Sequence, residues 1–158
     1  MLKSTRRSHS SAASERFAIV ASEYNRRYVD GMLRQARATL REAGASTVQV
    51  VRVPGAFEIP VVVSRLAEKR DPEFSAILCL GVILRGETTH AQAISDAVTW
   101  ALARIQVDRG MPVIHEVLLF ENEEQARVRC LGREYNRGGE AAQTAIRMAR
   151  TIRALNKG

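Results

Sequence analysis

With 158 residues, 46% apolar and 26% charged, the chain has the length of one domain and enough apolar side chains for a real core. No apolar run approaches the roughly 20 residues that a membrane-crossing helix needs. The excess of 24 Lys+Arg over 17 Asp+Glu, a formal charge of +7, is interleaved with acids and apolar positions. That dispersal, with three Tyr and one Trp for base stacking, argues against nucleic acid as the main partner and for solvated faces or a small phosphate-bearing substrate.

The two cysteines, Cys79 and Cys130, have no metal-type or C-x-x-C spacing and read as reduced thiols of a cytoplasmic protein. His9, His90 and His115 lie too far apart for a standard metal motif, so no metal is expected. Residues 1–15 are basic and Ser-rich, with no acid before Glu15 and no apolar periodicity. They are expected to form a flexible arm, with a single folded domain over 16–158.

The β-branched run at 16–21 predicts a first buried strand, closed by the polar residues 22–25. Val29, Met32, Leu33, Ala36 and Leu40 recur at helical spacing and predict a helix that Gly44 ends. Tyr24 falls in the turn between them, a usual place for a binding residue. After a second strand at 48–53 comes Pro54-Gly55-Ala56-Phe57-Glu58-Ile59-Pro60. Here the glycine lets a ligand approach the backbone, Phe57 can wall a pocket and Glu58 can accept hydrogen bonds. The alternative is that the prolines only shape the turn and Phe57 is core.

A helix at 59–69 buries Val62, Val63 and Leu66, and a strand at 76–84 follows, apolar at nearly every position and so covered on both faces. It empties into Leu84-Arg85-Gly86-Glu87-Thr88-Thr89-His90. Such a junction offers backbone N–H groups and a positive helix end to an anion, beside an imidazole that titrates near neutrality. On the simpler reading Thr88 or Thr89 is only an N-cap.

The helix at 91–108 places Ile94, Ala97, Val98, Ala101, Leu102 and Ile105 on one stripe, leaving Trp100 off it as the mark of a subunit contact. A strand at 112–119 carries His115 and Glu116, polar enough to suggest that one face meets a site or a partner. A short helix at 122–130, a basic glycine-rich loop at 131–139 and a helix at 140–155 complete the chain.

Four strand–helix alternations imply an α/β fold, a three-layer flavodoxin-like domain with a four-stranded parallel sheet flanked by helices on both faces. Ligands bind such sheets at the carboxyl ends of the strands. The turns at Tyr24, at Gly55 to Glu58 and at Arg85 to His90 all belong to that edge.

Four stretches now carry a specific resemblance, in order along nearly the whole folded chain. They are Val53-Pro54-Gly55-Ala56-Phe57-Glu58-Ile59-Pro60, Gly81-Val82-Ile83-Leu84-Arg85-Gly86-Glu87-Thr88-Thr89-His90, Glu121-Asn122-Glu123-Glu124-Gln125-Ala126 and Asn136-Arg137-Gly138. Together they resemble the lumazine synthase family of riboflavin biosynthesis. The resemblance implies condensation of 5-amino-6-(D-ribitylamino)uracil with 3,4-dihydroxy-2-butanone 4-phosphate, releasing phosphate and water without a cofactor. It further implies that Tyr24 stacks on the uracil ring, that Ala56, Phe57 and Glu58 line the ribityl chain, and that Val82, Ile83 and Leu84 meet the ring through backbone groups. Glu87 and Thr88 would hold phosphate by main-chain N–H groups, Arg129 would pair with it, His90 would shuttle protons, and Arg137 would lie at the substrate.

Where the family usually has an aromatic residue and an acid after the histidine, this chain has Ala91-Gln92. His115 replaces a usual Phe that meets substrate from the neighbouring subunit, and Leu119-Phe120 replaces a usual pair of threonines. These departures leave a second reading, a flavin- or lumazine-binding paralogue with weak or no turnover. The shared site implies a homo-oligomer built from pentamers, and the lack of a long insertion at 132–138 favours a 60-mer shell.

Overall fold

The structure, a computed structural model, describes residues 11–158. Among these, the β-branched runs become β1 (Arg16–Ser22), β2 (Thr47–Val53), β3 (Ala76–Leu84) and β4 (Val113–Phe120). They form one parallel sheet in the order β2-β1-β3-β4. Parallel neighbours require crossovers, and helices supply them: α1 (Arg26–Glu42), α2 (Ile59–Ala67), α3 (His90–Arg109), α4 (Glu123–Cys130) and α5 (Arg137–Lys157). The expected three-layer α/β fold is therefore present.

Strand alternation divides the core. Phe17, Ile19, Leu78 and Leu80 face α1, α4 and α5, packing with Val29, Met32, Cys130 and Ala145. Ala18, Val20, Ile77 and Cys79 face α2 and α3, packing with Ile59, Val63, Val98 and Leu102. Each large aliphatic side chain so buried contributes about 1.5–3 kcal/mol. β1 and β3 are the inner strands and have apolar partners on both sides, which explains why their sequences lack hydrophobic alternation.

Three expectations need correction. In α3 the buried line is narrow, Ala91, Val98 and Leu102 with Ile94 and Ile105 partly covered, and Ala97 is exposed. The helix touches the core along a single ridge, so its flank carries Ala97 and Trp100 outward together.

α5 starts at Arg137 rather than at 140, so the glycine-rich loop is shorter than its composition implies. Asn136 Oδ1 accepts from the N–H of Gly138 at 2.9 Å and of Gly139 at 3.4 Å, while its Nδ2 donates to the carbonyls of Cys130 at 2.7 Å and Gly132 at 2.9 Å. This cap starts the helix in spite of the poor propensity of glycine. Gly138 is needed there because a Cβ would collide with the backbone of Met32 in α1.

The folded part also begins before residue 16. Ala12 is fully buried, its N–H bonds to the Ala43 carbonyl at 2.6 Å, and the Glu15 carboxylate is held by Ser75 and Arg153. Residues 11–15 carry no periodic signal, since these anchors come from distant parts of the chain. The rest of the expected arm, with His9, lies outside the described residues.

Two backbone bonds join the turns at the carboxyl edge. Glu23 N–H donates to the Val53 carbonyl at 2.8 Å and Tyr24 N–H to the Pro54 carbonyl at 3.0 Å. Arg52 reinforces this edge, donating to Asp30 at 2.7 Å and to the Ser22 carbonyl at 3.2 Å. The β1–α1 turn is thereby fixed against the β2–α2 turn.

Candidate active site

An open cleft of about 830 Å³ lies at the carboxyl ends of β1 and β3, where the strand order switches direction. Tyr24 and Asn25 form one side, Gly55 to Glu58 another, Val82 to Leu84 the floor, and Gly86, Thr88 and His90 with the start of α3 the far end. The three turns singled out in the sequence thus share one cavity.

Each wall has a local cause. Tyr24 is 74% exposed because the β1–α1 turn projects it out of the sheet, leaving a free aromatic face. Gly55 is extended at φ −144°, and Ala56–Glu58 form one 3-10 turn before α2 starts at Ile59, with Pro60 in its first turn. That turn carries Phe57 outward, 64% exposed, so the alternative placing it in the core is excluded.

At the α3 end Thr89 occupies the cap position but makes no side-chain cap bond. The Thr88 hydroxyl reaches only the His90 N–H, at a long 3.4 Å. A helix start with so little capping keeps N–H groups available for an anion. His90 is exposed, and its imidazole makes no hydrogen bond among the described residues.

Arg85 braces this junction, donating to the Glu121 carboxylate at 2.9 Å and to Gln92 Oε1 at 2.9 Å, while Gln92 Nε2 donates to Asp96 at 2.8 Å. Gln92 is therefore committed to Arg85 and Asp96 rather than to His90.

Asn25 was not singled out in the sequence. Its backbone is left-handed at φ 54°, a conformation Asn tolerates, and its Nδ2 donates to the Val82 carbonyl at 2.8 Å. An Asn directly after a strand and an exposed aromatic was the available signal.

Four candidates lie outside the cleft lining. Glu87 is exposed on the junction loop without lining the cavity. His115 sits on β4, Arg129 on α4 and Arg137 at the start of α5. Arg137 forks onto buried Glu116, at 2.8 Å and 3.0 Å, and also reaches Glu140 at 2.8 Å. Burial raises the Glu116 carboxyl above its ordinary value, although Arg137 pulls it down. Within one chain both ends of the Arg137 guanidinium are engaged, by buried Glu116 and by Glu140.

A family model described as 6,7-dimethyl-8-ribityllumazine synthase matches residues 14–153. The chain belongs to the lumazine synthase family. Relatives named 6,7-dimethyl-8-ribityllumazine synthase include one from Stenotrophomonas maltophilia, 40% identical over 144 residues, covering 90% of this chain and 92% of the relative. Another, from Mycobacterium avium, is 39% identical over 146 residues, with 91% and 89% covered. One from Xanthomonas oryzae pv. oryzae is 37% identical over 142 residues, with 89% and 91% covered. The likeness to these lumazine synthases thus extends over a whole domain, and the first two motifs of the resemblance supply most of the cleft wall.

Proposed function

We propose that this chain is a transferase that condenses 5-amino-6-(D-ribitylamino)uracil with 3,4-dihydroxy-2-butanone 4-phosphate to 6,7-dimethyl-8-ribityllumazine, the penultimate step of riboflavin biosynthesis. The observation that carries the reading is family membership across nearly the full length of chain and relatives. The cleft adds an aromatic side chain, an acceptor carboxylate, a weakly capped helix start and an imidazole without a hydrogen-bond partner among the described residues, all within one cavity.

In this reading Tyr24 stacks on the uracil ring, and backbone groups of Val82, Ile83 and Leu84 meet its polar edge while Asn25 holds the Val82 carbonyl in place. Ala56, Phe57 and Glu58 line the ribityl chain. The ring amine adds to the ketone, and a C=N bond forms as water leaves. Phosphate departs with the electrons of its C–O bond as the adjacent carbon loses a proton, and the ribitylamino nitrogen then closes the second ring on the remaining carbonyl carbon with loss of a second water. His90 moves the protons, a role to which an exposed imidazole is suited. N–H groups at Glu87 and Thr88 hold the phosphate, and the departing charge needs a cation as well. Among the described residues no Lys or Arg lines the cleft, and in this reading, as the resemblance implies, Arg129 of a neighbouring subunit supplies the cation.

In this reading the functional unit is a homo-oligomer built from pentamers, as the resemblance implies, with a 60-mer shell as the favoured larger assembly. Supporting it, α3 exposes Ala97, Trp100 at 79% and Val107 at 77% on one flank, an apolar surface a lone domain would leave wet. Two buried free thiols suit a reducing, cytoplasmic setting. Incubating the protein with both substrates tests the function: lumazine absorbance should rise together with free phosphate. Tight riboflavin binding without either product would favour a non-catalytic carrier.

A further inference from the structure

His115 lies on β4, an edge strand, and both of its ring nitrogens are engaged. The Val117 N–H donates to Nδ1 at 3.1 Å. A peptide N–H keeps its proton, so Nδ1 must present a lone pair, and the proton of the neutral ring must sit on Nε2. Nε2 is 2.8 Å from Thr99 Oγ1. The Thr99 hydroxyl gives its own proton to the Ser95 carbonyl at 2.8 Å, which leaves it an acceptor for the Nε2 proton. The bonds run one way, from ring to hydroxyl to carbonyl, and with Val117 fixed at the other nitrogen they cannot reverse.

No lone pair of the ring remains free, so only its surface can meet another molecule. The surroundings agree. α3 presents the uncharged Thr99 and Ser95, and β3 places Cys79 beside the ring, where burial raises the thiol and keeps it protonated. Neighbouring Glu116 is bound to Arg137 from α5. Burial also lowers the His115 imidazole below its ordinary value.

We propose that Thr99 is a positioning residue that locks His115 as a neutral aromatic wall, so that His115 touches substrate in the adjoining subunit by its ring surface and takes no part in proton transfer. This rests on the proposed function for the substrate and on the hydrogen bonds alone for the lock. It divides the two histidines: exposed His90 moves protons, and His115 does what a phenyl ring would do.

Nitrogen NMR of histidine-labelled protein, kept in its assembled form, reads the lock directly. At about pH 7 His115 should carry its proton on Nε2, and a protonated Nδ1 or a cationic ring would overturn the proposal. Thr99→Val removes the acceptor for the Nε2 proton and should populate the Nδ1-protonated tautomer in the same spectrum, whereas Thr99→Ser should keep the proton on Nε2. Kinetics read the consequence. Whatever it does to the rate, His115→Phe should leave the shape of the pH profile of kcat/KM unchanged, with no ionisation lost. A lost acid limb in the His115→Phe profile would also overturn the assignment. Should wild-type protein make no lumazine, the proposed function fails while the nitrogen spectrum still decides the lock.

Discussion

Arg129 and His90 meet different demands in the proposed reaction, and their substitutions should separate accordingly. Water can replace a proton shuttle in part, whereas nothing nearby replaces a cation paired with departing phosphate. Arg129→Ala should therefore lower kcat/KM by about 10²–10³-fold, with His90→Ala losing clearly less. Steady-state kinetics over a range of substrate concentrations check the order, and the reverse order would reassign the two roles. His115 also gives stability a pH dependence. Its folded-state value lies below the ordinary 6.5, so the unfolded chain takes up a proton first. The stability it contributes is complete above about pH 6.5 and is lost as the pH falls toward the depressed folded value. Denaturant midpoints across that range should flatten in His115→Phe.

At the scale of elements, the start of α5 is the sensitive joint. Gly138 has no room for a side chain against Met32, and Asn136 caps the helix while tying it to the end of α4. Gly138→Ala should cost about 1–3 kcal/mol through overpacking, and Asn136→Ala about 1–2 kcal/mol through the lost cap. Arg137 belongs to the same joint. Arg137→Ala leaves Glu116 buried and unpaired, with an expected cost of about 3 kcal/mol. Adding Glu116→Gln should recover most of it, because the carboxyl charge is the costly part. Thermal unfolding of the single and double variants measures this, and equal losses in both would refute the pairing.

For the whole molecule, the proposed function and the apolar flank of α3 make a common demand, since the first calls for Arg129 of a neighbouring chain and the second for a partner surface to cover Trp100. Trp100→Glu should disperse the assembly and abolish lumazine formation while leaving the domain folded, as read by light scattering, activity and circular dichroism. A wild-type mass near one pentamer would remove the 60-mer expectation and keep the shared site.

Apolar periodicity and turn chemistry act locally, and they were enough to reveal β3 from Ala76 to Leu84, the face of α1, the parallel α/β class and the three turns that meet in the cleft. The resemblance carried by four short motifs added the family. Contacts between residues far apart in the chain left no such local trace. The anchoring of Ala12 and Glu15, the early start of α5, the capture of Arg137 by Glu116 and the fixed proton of His115 each depend on partners that only folding brings within reach.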